Sequence, residues 1–329
     1  MDEGIKKNML HLVILLILVI ALLGVLMLTG LLACSSVPGG CDAYYFMKAA
    51  LNPQRPTGPM ILVVYGDSGM GNPDALLSVL NERDILNAQA RSMHIDKITQ
   101  GNIRDFDLVI VEHAKKICTS KLRLFQYYVS SGGRLVWTAD SGTELCGGDY
   151  TGGRTSETDR LLLESERKEN GKPIPIGPWA RRDANFQVSF DEFLGVNYRG
   201  NYCEFARCNP KEMSGTIEIV NSEHKLSYGL SPSIPYYGDF AVVERSKDEE
   251  TRLVATIDYG TSLLGKASGQ PWLEGGKTYN FGKDLPFIVS TQVGERVAYY
   301  AVPLESFVIG QPGKNKALLE QMYQGMLYK

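Results

Sequence analysis

Acidic, hydroxyl and imidazole side chains follow three apolar runs of the chain, and together they could perform hydrolytic or ligand-binding chemistry. They are Asp67, Ser68, Glu112, His113, Asp140 and Ser141. A serine hydroxyl becomes a nucleophile when an imidazole takes its proton and a carboxylate orients that imidazole. Ser141, His113 and Asp140 are therefore candidates for a catalytic triad. Paired carboxylates also bind cations, which makes Asp67, Glu112 and Asp140 an alternative metal site.

Simpler roles compete with both interpretations. Ser-Gly after Asp is ordinary turn sequence, and Asp140 or Ser141 could cap the next element. The glycine-rich run 66–71 lacks the complete pattern of a nucleotide-binding loop. The sequence therefore predicts a set of ligand-edge candidates, with no cofactor, no metal and no catalytic residue singled out.

Continuous apolar runs, separated by helical segments, indicate the elements that position these side chains. Runs such as 60–65 and 107–111 do not alternate with polar residues, which is typical of strands buried on both faces. Asn72-Pro73 opens one helix, and Gly132-Gly133 ends another. The alternation predicts an α/β fold, flavodoxin-like or Rossmann-like, with a three-layer parallel sheet. Ligands of such folds bind beyond the carboxyl ends of the strands.

Several segments resemble a known family. They are Ile61–Asp67, Phe106–Val111, Tyr127–Val136 and Gly294–Pro303. The third is the most specific, because it contains Y-V-x-x-G-G-x-L-V at the end of a helix. Together the segments resemble the class I glutamine amidotransferase-like superfamily, in its divergent, exported branches. The resemblance covers residues 60–142 well and 216–328 loosely, and it implies a sheet with one ligand-facing edge.

The chemistry of that superfamily carries over poorly. In its active members a Cys occupies the sharp turn after the fourth strand, and a downstream His, followed by Pro and Glu, activates it. Here the turn 138–142 has no Cys, and Cys146 lies about one turn too far along. Pro303 and Glu305 remain, but the His is missing. A thiol attack needs a thiolate and a base, so the resemblance implies a pseudoenzyme without glutamine hydrolysis.

An apolar run at the N-terminus predicts a membrane anchor. Residues 9–33 contain no Asp, Glu, Lys or Arg, and about 20 apolar residues in a helix cross a bilayer. Lys6 and Lys7 favour a cytoplasmic N-terminus, which leaves the main domain outside. Two alternatives remain: a cleaved signal peptide, or a lipoprotein whose lipobox-like sequence Leu31-Leu32-Ala33-Cys34 is processed and lipidated at Cys34.

The chain has six cysteines, and an exported domain can oxidise them. Cys203 and Cys208 flank a four-residue loop and are the favoured disulfide pair. Cys118 and Cys146 could also pair if neighbouring strand ends bring them together, and free buried thiols are the alternative. No second Cys/His pair accompanies Cys203 and Cys208, so the spacing does not predict zinc.

Composition changes along the chain predict its organisation. We expect a cytoplasmic N-terminus, a transmembrane helix, a tether, the α/β core, an insertion, and a β-rich completion of the core with a C-terminal helix. The corresponding ranges are 1–8, 9–33, 34–59, 60–143, 144–215 and 216–329. The net charge is −3 and no basic patch stands out, which excludes nucleic acid as the expected partner.

Aromatic residues concentrate in the later half of the chain and could mark a binding surface. They are Tyr198, Tyr202, Phe205, Tyr228, Tyr236 and Tyr237. The resulting hypothesis is an outward-facing, non-catalytic, membrane-anchored domain. It binds a partner protein, a glycan or a small ligand, as in a subunit of a membrane complex. One alternative is an exported hydrolase that uses Ser141, His113 and Asp140. The other is a surface lipoprotein anchored at Cys34.

Overall fold

The computed structural model describes residues 3–29, 32, 34–51, 58–82, 88–150, 168–169, 172–173, 177–183, 186–206, 214–246, 250–258, 271–274, 277–280, 284–292, 294–308 and 316–328, with partial description at some of their side chains. The chain divides into two compact units. The N-terminal 59 residues, with the last two residues of the chain, form one unit, and Met60–Leu327 form the other.

The described helices number eight. They are α1 Glu3–Leu28, α2 Gly40–Leu51, α3 Pro73–Leu80, α4 Gln100–Ile103, α5 Thr119–Ser130, α6 Phe190–Leu194, α7 Tyr202–Ala206 and α8 Lys316–Tyr328. Short 3-10 helices cover Cys34–Ser36, Ile95–Lys97, Gly147–Tyr150 and Leu304–Phe307.

The strands of the first half are β1 Met60–Tyr65, β2 Gln89–His94, β3 Leu108–Val111, β4 Arg134–Thr138, β5 Lys168–Glu169, β6 Lys172–Pro173, β7 Ala180–Asp183, β8 Phe186–Ser189 and β9 Val196–Asn201. Those of the second half are β10 Ser214–Ile219, β11 Ser233–Tyr237, β12 Ala241–Arg245, β13 Arg252–Asp258, β14 Pro271–Glu274, β15 Lys277–Asn280, β16 Leu285–Thr291 and β17 Val297–Tyr300.

A nine-stranded mixed sheet is the centre of the larger unit. Its order is β11-β10-β13-β16-β17-β4-β3-β1-β2. The strands from β17 to β2 are parallel to one another. The strands from β17 to β11 are antiparallel. The predicted α/β fold with a parallel core is therefore confirmed. Of the predicted β-rich part, β10, β11, β13 and β16 form the antiparallel half of the same sheet, whereas β12 pairs with β9 and β14 pairs with β15 in separate sheets.

Local sequence signals account for the elements around the parallel strands. The side chain of Asn72 caps α3 by accepting a hydrogen bond from the backbone N–H of Ala75 at 3.1 Å. Gly132, at φ 99°, supplies the left-handed residue that ends α5. A Cβ at Gly133 would lie 2.3 Å from the ring of Tyr128. The Gly-Gly pair of the motif therefore has two structural causes. The turn needs Gly132, and the close approach of the Tyr128 ring needs Gly133.

The N-terminal unit contains the helix that was expected to cross a membrane. Asn8–Leu28, 21 residues long, is apolar and long enough to do so, and a signal sequence has the same properties. The helix ends at Leu28, five residues before the end of the apolar run 9–33. A disulfide joins Cys34 to Cys41. A lipid thioether would use the same Cys34 sulfur, so the disulfide and the predicted lipidation are alternative states of this atom.

Disulfides also occur in the larger unit. Cys118, which precedes α5, is bonded to Cys146 across 28 residues of sequence. Cys203 is disulfide-bonded as well, while Cys208 lies outside the described residues. Free cysteines are absent from the part of the chain that the structure describes. The bonded sulfurs correct the alternative of free buried thiols at these described positions and are consistent with an oxidising environment.

Residues 144–215, expected as an insertion, are described only in part. β7 and β8 form a hairpin, and β9 pairs with β12 from the later half of the chain. The sequence did not predict β11, β14 or β15. β11 contains Pro235 and lies at the edge of the sheet, where a strand without one N–H group is tolerated.

Candidate functional site

The loops after β1, β3 and β4 are joined by backbone hydrogen bonds at the carboxyl edge of the parallel strands. Gly66 donates to the carbonyl of His113 at 3.0 Å, and His113 donates to that of Met70 at 2.9 Å. Gly142 donates to the carbonyl of Ala114 at 2.8 Å. The candidate side chains predicted from the sequence therefore lie on three neighbouring loops of one edge.

The sharp turn after β4 is centred on Ala139. This residue has φ 47°, in the left-handed region that non-glycine residues seldom occupy, at a cost of about 1–2 kcal/mol. Its N–H donates to the carbonyl of Tyr300 at 2.7 Å, and its own carbonyl accepts from the hydroxyl of Tyr299 at 3.1 Å. The sharp turn after β4 therefore carries a methyl group and no nucleophile, and His113, at φ 49°, is the other non-glycine residue of this edge in the left-handed region.

Ser141 is held in the interior. Its hydroxyl lies 3.4 Å from the carbonyl oxygen of Val111, to which it donates, and the residue is fully buried. Its carbonyl accepts hydrogen bonds from the indoles of Trp137 and Trp179, each at 2.8 Å. Among the described residues, no hydrogen bond links Ser141 to His113 or His113 to Asp140. In this geometry Ser141 is a buried packing residue, and catalysis by Ser141, His113 and Asp140 stays a prediction.

Asp140 is buried and positions the neighbouring loops. One carboxylate oxygen accepts the backbone N–H of Met70 at 2.8 Å, and the other accepts the side-chain amide of Asn201 at 3.4 Å. A Cβ at Gly69 would lie 3.2 Å from the first of these oxygens. The carboxylate therefore requires a glycine beside it and connects the β1 loop to β9.

Asp67 and Ser68 lie on the outer rim of the edge. The side chain of Asp67 is 93% exposed and pairs with His94 at 3.2 Å. Glu112, in contrast, is completely buried. Of the carboxylates in the alternative metal site, Asp67 is therefore exposed to solvent and Glu112 is buried. The described parts of the chain contain no group of three or more acidic, His or Cys side chains arranged to hold a metal ion.

Two buried carboxyl groups face each other where β3 and β17 end. Glu305, in the 3-10 helix after β17, accepts the backbone N–H of Asn72 at 2.7 Å. Neither oxygen of Glu112 has a hydrogen bond of ordinary geometry. Burial raises the pKa of Glu112 well above its usual range, and the Glu305 carboxyl raises it further. Burial also raises the pKa of Glu305, against the opposing effect of the Asn72 N–H.

Further buried polar atoms surround this carboxyl pair. The hydroxyls of Tyr300 and Tyr323 and the Nδ1 atom of His113 have no hydrogen-bond partner. Burial raises the pKa of Tyr323, and the charges of Glu112 and Glu305 add to that effect. We call these five residues the acid–tyrosine cluster. Because Asn72 stabilises ionised Glu305, the pair retains a proton on Glu112.

Sequence reasoning found this cluster only in part. Glu112 and His113 were candidates because they follow a strand, and Glu305 was noticed as part of the remaining Pro-Glu sequence. The sequence gives no signal that singles out Tyr300, within the apolar run of β17, or Tyr323. The sequence of the C-terminal helix has an apolar stripe, and this pattern predicts that a tyrosine within the helix packs in the core.

The aromatic residues expected at a binding surface divide into two groups. Tyr198, Tyr202 and Tyr236 are buried, and burial raises the pKa of each, that of Tyr202 to about 12. Tyr228 and Tyr237 are exposed. The side chain of Phe205 lies outside the described residues. Of the five aromatic side chains that the structure describes, three therefore pack in the interior and two lie on the surface.

Comparisons with solved structures show the fold. A ThuA-like protein from Bacteroides uniformis matches with a TM-score of 0.51 at 15% identity, covering 83% of this chain and 93% of its own. A ThuA-like protein from Parabacteroides merdae matches with a TM-score of 0.41 at 12% identity, covering 83% and 90%. A β-galactosidase from Rahnella sp. R3 matches with a TM-score of 0.44 at 13% identity, covering 82% and 30%.

ThuA-like proteins belong to the class I glutamine amidotransferase-like superfamily, which agrees with the resemblance in sequence at the level of the fold. No protein-family model matches the sequence, and no curated protein matches it significantly.

Proposed function

We propose that this chain is a binding domain held at the outer face of a cell membrane, with no catalytic activity of its own. The N-terminus is cytoplasmic, α1 crosses the membrane once, and the larger unit is extracytoplasmic. The domain contacts a partner protein, as a subunit of a membrane assembly. A surface glycan and a small ligand are the other occupants that the experiment below distinguishes.

The observation that carries this proposal is the turn at Ala139. The fold retains a constrained backbone at the position where active members of the resembling superfamily carry their nucleophile, and the side chain there is a methyl. The hydroxyls on either side of it in sequence, those of Thr138 and Ser141, are both buried and donate to the carbonyl of Val111. With neither a thiol nor a serine–imidazole pair, the edge lacks the parts of an acyl-transfer site.

Exposed aromatic side chains support contact with a protein. Tyr228 is 61% exposed, and Tyr237 is exposed on β11 at the edge of the sheet. Large aromatic side chains add much of the energy of protein interfaces, since they bury a wide apolar surface with few rotatable bonds. Exposed aromatics also stack on sugar rings, so a glycan remains an outcome of the test.

The test is purification of the full chain from native membranes in mild detergent, followed by identification of stoichiometric companions by mass. The variant Y228A/Y237A removes both exposed rings. The matched control is Y127A, because Tyr127 is 45% exposed on α5, in a different part of the fold. We expect one protein to co-purify with the parent and with Y127A, and to be lost from Y228A/Y237A.

Other outcomes are equally informative. A bound glycan or small molecule in place of the protein would overturn the protein-partner part of the proposal. Retention of the companion in Y228A/Y237A would show that the two exposed tyrosines are not the contact. A parent that purifies alone, from membranes extracted under several mild conditions, would contradict the binding proposal.

A further inference from the structure

Within the N-terminal unit, α2 folds back against the last turns of α1. A Cβ at Gly24 would lie 3.3 Å from the sulfur of Met47, and a Cβ at Gly40 would lie 3.2 Å from the terminal methyl of Met27. The disulfide between Cys34 and Cys41 closes the connection between the two helices. The start of α2 is thus fixed beside the end of α1.

These contacts set the level of α2 relative to the apolar span. The span ends at Leu28, and Gly24 lies four residues before that end. With a rise of 1.5 Å per residue, Gly24 is about 6 Å inside the span. Met47 contacts Gly24, so the middle of α2 lies at a depth where a bilayer crossed by α1 has its boundary between headgroups and acyl chains.

The side of α2 that does not contact α1 is apolar except for the exposed Asp42, which lies in the first turn of the helix, one turn before Phe46. Ala43, Phe46 and Ala50 follow one another at helical spacing on an exposed face, and Phe46 is 69% exposed. Lys48 lies over the ring of Tyr44 at 4.6 Å, on another side of the helix. An exposed phenylalanine at this depth meets lipid if α1 is in a membrane, and removal of such a side chain from water is favourable.

We propose that α2 is an interfacial helix that lies in the outer leaflet, with the Phe46 side chain among the lipid acyl chains. The partner of this surface is the lipid bilayer itself. The proposal rests on the membrane anchorage proposed above. In this arrangement the Cys34–Cys41 disulfide converts a single crossing helix into a two-helix anchor, because it prevents α2 from leaving the surface.

The experiment uses the full chain reconstituted into phosphatidylcholine vesicles, with bromine on the acyl chains near the headgroups as a quencher. F46W adds one indole, and its emission is taken as the difference from the parent, which has three tryptophans. Y44W is the control, because position 44 is turned by about 160° around the helix axis. C34S/C41S in the F46W background tests the role of the disulfide. Flotation of the vesicles measures anchorage separately.

We expect the brominated lipid to quench about half of the added F46W emission, with much weaker quenching for Y44W. We also expect quenching to fall when C34S/C41S releases α2. If F46W is quenched no more than Y44W in vesicles that carry the protein on flotation, the interfacial helix is overturned and the anchor stands. If the protein does not float with the vesicles, the anchorage itself is overturned.

Discussion

Glu305 accepts a hydrogen bond of 2.7 Å from the backbone N–H of Asn72, a residue 233 positions earlier in the chain. Asn72 is the N-cap of α3, so the carboxylate lies near the positive end of a helix. This contact stabilises the ionised form of Glu305. Glu112 lies beside it without such a donor, and for that reason the proton of the pair resides on Glu112.

The retained proton predicts an unusual pH dependence of stability. Glu112 has a raised pKa in the folded state, so the folded chain holds a proton that the unfolded chain releases above about pH 4.5. Its contribution to stability is therefore present at low pH and is lost as pH rises towards the folded pKa. The substitution E112Q removes this loss. As pH rises, we expect the unfolding free energy of E112Q to increase relative to that of the parent by up to about 1.4 kcal/mol per pH unit.

Urea unfolding of the full chain in detergent, followed from pH 5 to pH 8, measures this difference. E223Q, at an exposed position, is the control and should follow the parent at every pH. Parallel curves for E112Q and the parent would show that Glu112 is not the proton carrier.

Ala139 tests the constrained turn. A valine there combines a β-branched side chain with φ 47° and adds volume to a filled site, so we expect A139V to lose at least about 2 kcal/mol of unfolding free energy. A139G should change stability by no more than about 1 kcal/mol. A114V adds the same volume at a buried alanine without positive φ. Equal losses in A139V and A114V would mean that the turn stores no strain.

The Cys118–Cys146 disulfide closes a loop of 28 residues, and its removal should cost about 3–4 kcal/mol through the added entropy of the unfolded chain. We expect this loss in C118S/C146S by urea unfolding. C34S/C41S, which removes a disulfide of the N-terminal unit, should leave the unfolding of the sheet unchanged. A similar loss in both variants would contradict the assignment of these bonds to independent units.

Asp140 should act on the loop after β1 through the N–H of Met70. D140A leaves this N–H without its acceptor, at a cost of about 1–3 kcal/mol, whereas D140N keeps an oxygen there. Hydrogen exchange of the Met70 amide reads out this one contact. We expect exchange at least about tenfold faster in D140A than in D140N, which corresponds to 1.4 kcal/mol. Equal exchange rates of the Met70 amide in D140A and D140N would contradict the proposed role of Asp140 in positioning this loop.

Elements whose signals are local could be predicted from the sequence. β1 has the predicted bounds, 60–65, and the Gly132-Gly133 pair ends α5 because the turn needs a left-handed residue there. The Asn72 cap was equally visible, since an N-cap needs only its own neighbours. The parallel core could be predicted from these elements, because interactions between residues close in sequence specify each of them.

The features that define the candidate site are not local. The pairing of Glu305 with Asn72 depends on tertiary placement, and so does the proximity of Tyr323 to Glu112. The turn at Ala139 is a property of backbone torsion, and alanine gives no signal of it in the sequence. For the same reason Ser141 looked available for chemistry, although the fold turns it inward against Val111.

The most direct test of the account is labelling of the detergent-solubilised chain with a fluorophosphonate, which reacts with activated serine hydroxyls, followed by peptide mass analysis. A binding domain whose turn carries only Ala139 should leave Ser141 unmodified, in the parent and in H113A alike. Modification of Ser141 in the parent, and its loss in H113A, would reveal a working serine–imidazole pair and contradict the proposal of a domain without catalysis.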